Sequence, residues 1–88
     1  MEPEKIPVII QDLQKEMVDI INQTPIDLDH QKEIHDQLRD ILATKALEKG
    51  LERSHPALNR LFQDVYYMME TRFAAKALYL EVHEEKKA

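Results

Sequence analysis

The chain contains no cysteine, and its 88 residues include a single glycine, Gly50. Without cysteine it cannot form a disulfide, use a thiolate nucleophile or hold zinc or an iron–sulfur cluster through sulfur ligands. One isolated glycine does not make a glycine-rich phosphate-binding loop. Ser54 is the only serine, and it does not lie in a nucleophile elbow. These absences remove several of the commonest enzyme classes.

Long hydrophobic runs are also missing. No apolar stretch approaches the roughly 18–20 residues that cross a bilayer as a helix. The first five residues, MEPEK, include no basic region that leads into an apolar segment. We therefore expect no secretory signal peptide and a cytoplasmic location.

Basic residues are outnumbered by acidic ones. The chain has 12 Lys and Arg against 17 Asp and Glu, a formal net charge of −5. A net negative charge disfavours binding to the negatively charged phosphate backbone of DNA or RNA, so we expect no nucleic-acid partner. Residues 1–38 carry nine acidic and three basic side chains, a net charge of −6, whereas residues 39–76 carry five and seven, a net charge of +2. The pattern predicts an acidic side and a mildly basic side, or else ordinary solvated helix faces.

The chain is rich in helix-forming residues, and its apolar residues recur at the i, i+3, i+4 spacing of amphipathic helices. Pro7 and Pro56 suit first helical turns, Pro25 ends a helix, and Gly50 suits a helix C-terminus. The sequence therefore predicts an all-α fold, an antiparallel four-helix bundle forming one domain over residues 1–88. The predicted helices span about residues 7–22, 29–49, 55–70 and 74–85.

The predicted boundary between the third and fourth helices depends on two cations. In one continuous helix, Arg72 and Lys76 lie within roughly 40° of the centre of the apolar stripe, where they would be buried without partners. A break at 70–73, with Thr71 as the cap, avoids that penalty. A short apolar stripe then follows on helix four, formed by Ala75, Leu78, Tyr79 and Val82.

The four histidines do not form a recognisable metal site. His30 and His35 are five residues apart and point in different directions on a helix. His55 precedes Pro56 and is expected to cap helix three, and His83 has no converging third ligand nearby in the sequence. We therefore expect no metal and no cofactor.

Paired acidic residues offer the best candidates for acid–base chemistry. Asp27 and Asp29, and then Glu33 and Asp36, fall at the start of helix two. The helix dipole and water favour the charged form of a carboxyl group there, whereas general acid catalysis needs a desolvated one. Helix capping is the favoured interpretation of these residues.

A second enzymatic alternative is a small helical mutase, which holds a dicarboxylate with cations inside a dimeric bundle. The candidates are Arg39, Arg60, Arg72 and Lys76. Such an enzyme needs inward-facing basic residues on a long first helix, and helix one offers only Lys15, which lies off its apolar stripe. We therefore expect no enzymatic activity.

The stretch Tyr66–Met69 contains the best candidate for a binding residue. Tyr67 lies about 180° from Leu58 on a helical wheel and faces outward, while its neighbours lie on or beside the apolar stripe. An outward tyrosine with cations around it suits a protein contact. The predicted partner-binding surface contains Tyr67, Arg60, Arg72, Lys76 and His83.

Several short segments resemble the immunity proteins of pediocin-like bacteriocins, in particular the enterocin A immunity group. They are the run LATKALEKG at Leu42–Gly50, then PALNRL at Pro56–Leu61, TRF at Thr71–Phe73 and LYL at Leu78–Leu80. The resemblance covers roughly residues 8–82 and consists of short, mostly apolar motifs.

This resemblance implies an antiparallel four-helix bundle that protects a cell from a cationic pore-forming peptide. It implies binding, from the cytosolic side, to the bacteriocin-bound mannose phosphotransferase permease. Apart from the resemblance, we expect a monomer without a cofactor, whose surface arginines make at most a weak peripheral contact with an anionic membrane. The alternative is a helical regulatory adaptor or acidic antitoxin that binds a basic protein through the acidic N-terminal half.

Overall fold

The described part of the chain folds into three helices. A computed structural model gives the backbone of residues 5–87 and the side chains of residues 5–82. The helices are α1 (Ile6–Gln23), α2 (Gln31–Glu48) and α3 (Pro56–Lys87), with one 3-10 turn at Leu28–His30. No strand occurs within residues 5–87, so the predicted all-α class is confirmed. The predicted four-helix bundle is wrong, because one helix occupies the place of the third and fourth.

Local signals in the sequence set most of the helix ends. The Thr24 hydroxyl donates to the carbonyl of Ile20 at 2.6 Å, and Pro25 then prevents α1 from continuing. At the opposite end of the bundle, Nδ1 of His55 accepts a hydrogen bond from the backbone N–H of Ala57 at 3.1 Å. The predicted capping role of His55 is therefore confirmed, and Pro56 is the first residue of α3.

Gly50 closes the C-terminus of α2 in a left-handed conformation. Its φ is 85°, and it is the only positive φ among the described residues. The N–H of Leu51 donates to the carbonyl of Ala46 at 2.8 Å, and the N–H of Gly50 donates to the carbonyl of Leu47 at 2.9 Å. These two bonds form a Schellman motif, and the accompanying apolar contact joins Leu51 and Ala46, which are both buried. The predicted cap is confirmed.

We expect Gly50→Val to lower the free energy of unfolding by about 1 kcal/mol or more, because a β-branched side chain resists positive φ. Urea denaturation measures the change. Gly50→Asn is the matched control and should lose less, since asparagine tolerates the left-handed region. Equal midpoints for the wild type and Gly50→Val would show that the glycine conformation contributes nothing to stability.

The three helices share one apolar core. Contacts between the helices show that α1 and α3 run in the same direction and that α2 runs opposite to them. Every buried side chain between residues 5 and 82 is hydrophobic, and each of the three helices contributes buried residues at the spacing of one helix face. The buried residues are Leu13, Met17, Ile21, Ile34, Leu38, Leu42, Ala46, Leu51, Leu58, Leu61, Val65, Met69 and Phe73.

α3 continues through the predicted break because its two cations are not buried. The side chains of Arg72 and Lys76 reach the connection between α1 and α2, where Arg72 donates to Oδ1 of Asn22 and Lys76 donates to the carbonyl of Ile26. Both cations are exposed at the end of the core, so they keep water and gain oxygen partners. Thr71 is not a cap, since its hydroxyl donates to the carbonyl of Tyr67 at 3.0 Å within the helix. The predicted break was therefore wrong.

The second half of α3 extends beyond the bundle. Every side chain from Ala74 to Val82 is exposed, and the molecule measures 60 × 20 × 20 Å. The apolar stripe predicted for a fourth helix, which includes Leu78 and Val82, is therefore not packed against the core. Leu78 is 61% exposed and Val82 is 42% exposed.

Candidate functional site

A groove of about 560 Å³ lies between α2 and α3. Its floor is apolar and includes Leu38, Val65 and Phe62, while Tyr66 and Tyr67 rise along its α3 side. We call it the α2–α3 groove. Its complete lining is Gln31, Lys32, His35, Asp36, Leu38, Arg39, Phe62, Gln63, Val65, Tyr66, Tyr67 and Glu70.

His35 organises the centre of the α2–α3 groove. Its Nε2 lies 2.8 Å from Oε1 of Glu70, and this contact joins α2 to α3. In this contact the imidazole Nε2–H donates to the carboxylate oxygen of Glu70. The His35 ring stacks on Tyr66, with centroids 4.2 Å apart and planes at 25°, and meets Phe73 edge-on at 5.4 Å. These contacts hold the Tyr66 ring in one orientation at the groove wall.

The sequence did not reveal this arrangement. In the sequence, His35 is a candidate only for a metal site with His30, and Glu70 only marks the start of the predicted break at 70–73. The two residues are 35 positions apart, so no local spacing connects them. The one signal in the sequence is that each directly follows an apolar stripe residue, Ile34 or Met69, on helices that are expected to pack together.

The α2 side of the groove carries a polar rim. Arg39 donates to Oδ1 of Asp36 at 2.6 Å across one helical turn, and both side chains are about half exposed. Lys32 lies one turn earlier, and Gln31 and Gln63 add uncharged polar groups to the lining. The groove therefore combines an apolar, aromatic interior with hydrogen-bonding groups at its edge, as binding sites for peptides and organic ligands do.

The structure separates the five residues predicted to bind a partner. Tyr67 is 73% exposed at the edge of the groove, and Arg60 is exposed two turns earlier on the same face of α3. Arg72 and Lys76 point to the other side of α3, where the α1–α2 connection takes up their hydrogen bonds. The side chain of His83 lies outside the described residues. Tyr67 is thus the one predicted residue that lines the groove.

His30 belongs to a separate polar cluster at the start of α2. Its Nδ1 lies 2.7 Å from Oδ2 of Asp27, while Oδ1 of Asp27 accepts the backbone N–H of Asp29 at 3.0 Å. The hydrogen bond to His30 lowers the pKa of the Asp27 carboxyl, and the same bond raises the pKa of His30. Both side chains are about half exposed, so the pair contributes little to overall stability and stabilises only the turn before α2.

Within residues 5–82, no three histidine, aspartate or glutamate side chains converge closely enough to hold a metal ion. None of the helices in the described part of the chain combines the length and apolar character needed to cross a bilayer.

Comparison with known proteins adds no family to these observations. No protein-family model, curated protein or solved structure matches this chain.

Proposed function

We propose that this protein is a non-catalytic binding module that recognises another protein through the α2–α3 groove. The observation that carries the proposal is the aromatic wall of the groove. Tyr66 is 55% exposed although its ring is held by His35, and Tyr67 beside it is 73% exposed. Tyrosine is favoured at protein interfaces because it offers a large contact area, a hydroxyl group and few rotamers to restrict.

The dimensions of the groove suit a few side chains of a protein partner. A volume of about 560 Å³ accommodates two or three large side chains, and the apolar floor would desolvate them. The rim groups Lys32, Gln31 and Gln63 would orient the partner through hydrogen bonds. Such an arrangement has the apolar centre and polar rim of protein interfaces.

The His35–Glu70 pair supports binding more than catalysis. A carboxylate can orient a histidine that acts as a general base, but such a base must reach a substrate. The His35 side chain is only 14% exposed, and two aromatic rings cover it. These contacts indicate that His35 holds α2, α3 and the Tyr66 ring together.

The biological role that we propose is immunity to a pediocin-like bacteriocin. It rests on the resemblance of the segments Leu42–Gly50 and Pro56–Leu61 to that family. On this proposal the groove engages the bacteriocin-bound mannose phosphotransferase permease from the cytosolic side and blocks the pore.

Expression of this protein in a bacteriocin-sensitive strain should raise resistance to at least one pediocin-like peptide. Tyr66→Ala should reduce the protection about tenfold, because it removes the fixed aromatic wall of the groove. The minimal inhibitory concentration of a panel of such peptides measures both effects. The purified protein should bind the free peptide weakly, since the proposed target is the receptor complex.

Tyr79→Ala is the matched control, because Tyr79 is a similarly exposed tyrosine of α3 outside the groove, at 60%. It should retain protection. Sensitivity to every peptide of the panel would refute the immunity role, and equal losses from Tyr66→Ala and Tyr79→Ala would refute the groove as the recognition surface.

A further inference from the structure

Two cations lie at opposite ends of the α2–α3 groove. Lys32 lines the groove near the start of α2. Arg53 lies at the other end, in the connection between α2 and α3, with its guanidinium carbon 6.0 Å from the centre of the Phe62 ring in the groove floor. Within residues 5–82, neither cation forms an ion pair with an acidic side chain. We call Lys32 and Arg53 the two end cations.

The acidic side chains of the groove already have basic partners. Asp36 and Glu70 are the acidic residues of the lining. Asp36 accepts a hydrogen bond from Arg39 at 2.6 Å, and Glu70 accepts one from His35 at 2.8 Å. The charges that remain without an intramolecular partner at the groove are therefore positive.

The surface at the groove is positive although the chain as a whole is negative. The lining and Arg53 together carry three Lys or Arg side chains against two Asp or Glu, whereas the formal net charge of the chain is −5. Arg60 adds an exposed cation on the face of α3 that carries Tyr67. Charge of one sign at a cleft attracts ligands of the opposite sign and disfavours ligands of the same sign.

We propose that the groove binds an acidic segment of its protein partner, in which a large apolar side chain lies between two carboxylates. The apolar side chain occupies the floor beside Phe62 and Tyr66, and the carboxylates pair with the two end cations. This inference rests on the proposed function of the groove as a protein-binding site. It adds the charge and the order of the residues that the groove recognises.

The length of the groove sets the spacing of these residues. At 1.5 Å per residue, α2 rises about 10 Å from Lys32 to Arg39, and α3 rises about 12 Å from Phe62 to Glu70. An extended chain covers this distance in about four residues. Carboxylates about four positions apart therefore reach both end cations, and a segment of about seven residues contains the whole recognition element.

Binding of synthetic peptides to the purified full chain tests the proposal. Three sets of peptides of about seven residues share the same varied apolar residues at the centre and carry only Glu, only Gln or only Lys in the flanks. A peptide array finds the best binder of each set, and fluorescence anisotropy gives its dissociation constant. The Glu-flanked peptide should bind about tenfold more tightly than the Lys-flanked one, with the Gln-flanked one between them. Added salt should reduce this preference, because the end cations are exposed.

Reversing the charge of both end cations should reverse the preference. A chain with Lys32→Glu and Arg53→Glu should bind the Lys-flanked peptide more tightly than the Glu-flanked one, a change that unfolding cannot produce. Lys15→Glu is the matched control, since Lys15 is an exposed lysine of α1 outside the groove. It should keep the preference of the wild type.

The results separate this inference from the proposed function. Tyr66→Ala should weaken the binding of all three peptides about tenfold. A wild type that binds none of them, or binding that Tyr66→Ala leaves unchanged, would refute the groove as a protein-binding site and this inference with it. Binding that depends on Tyr66 but shows no preference for Glu flanks, or prefers Lys flanks, would overturn the acidic segment alone.

Discussion

Thr71→Pro should lower the free energy of unfolding by about 3 kcal/mol or more. Residue 71 lies inside the continuous helix α3. Proline there removes the backbone donor to the carbonyl of Tyr67, and its ring clashes with that carbonyl. Unwinding α3 after residue 71 would not relieve this penalty, because it would take the buried side chain of Phe73 out of the core.

The same substitution distinguishes the observed fold from a four-helix bundle. If the chain broke at residues 70–73, proline at position 71 would lie in a turn and have little effect. Thr71→Ala is the matched control and should change stability by about 0.5 kcal/mol or less, because it removes only the exposed hydroxyl that bonds to Tyr67. Urea denaturation followed by circular dichroism measures both variants. A loss of less than about 1 kcal/mol for Thr71→Pro would contradict a continuous α3.

Phe73→Ala should lower the free energy of unfolding by about 3–5 kcal/mol, as for other buried aromatic side chains. Phe73 is 2% exposed and is the last core residue of α3. Its ring also meets His35 edge-on at 5.4 Å, so the truncation leaves a cavity beside the centre of the groove. A domain of this size is stable by only about 5–15 kcal/mol, so this variant should be strongly destabilised.

Phe73→Leu is the control for this truncation. It keeps most of the apolar volume and should lose about 1 kcal/mol. Thermal unfolding and urea denaturation should rank the wild type, Phe73→Leu and Phe73→Ala in that order. A midpoint for Phe73→Ala close to that of the wild type would show that the core ends before residue 73.

The helix ends were predictable because the signals that set them are local. Pro25 prevents continuation of α1, Gly50 supplies a positive φ, and His55 with Pro56 starts α3. Each acts on backbone groups within about one helical turn, so its effect is the same whatever lies further away. Most buried residues of the first three predicted helices were predictable for a related reason. The apolar side chains of each helix lie mainly on one face, and that face packs against the other helices.

The break near residue 71 was predicted wrongly because a helical wheel contains no information about the length of the core. Arg72 and Lys76 lie on the core side of α3, as the wheel indicates, but Phe73 is the last buried residue of α3 and both cations are exposed. Asn22 and Ile26 supply oxygen acceptors there, and these residues precede them by 50 positions. Only the relative placement of α1 and α3 decides whether such cations are buried or solvated.

The candidate site was predictable only in part, for the same reason. The outward direction of Tyr67 follows from its own position on a helix, which the sequence determines through the period of its apolar residues. The His35–Glu70 contact, the fixed ring of Tyr66 and the groove between them require two helices to meet in one register. The sequence by itself determined the all-α class, most helix ends and the face of α3 on which Tyr67 lies. The tertiary structure alone decided the length of the third helix and the partners of Arg72, Lys76 and His35, because contacts between distant segments depend on how the helices pack.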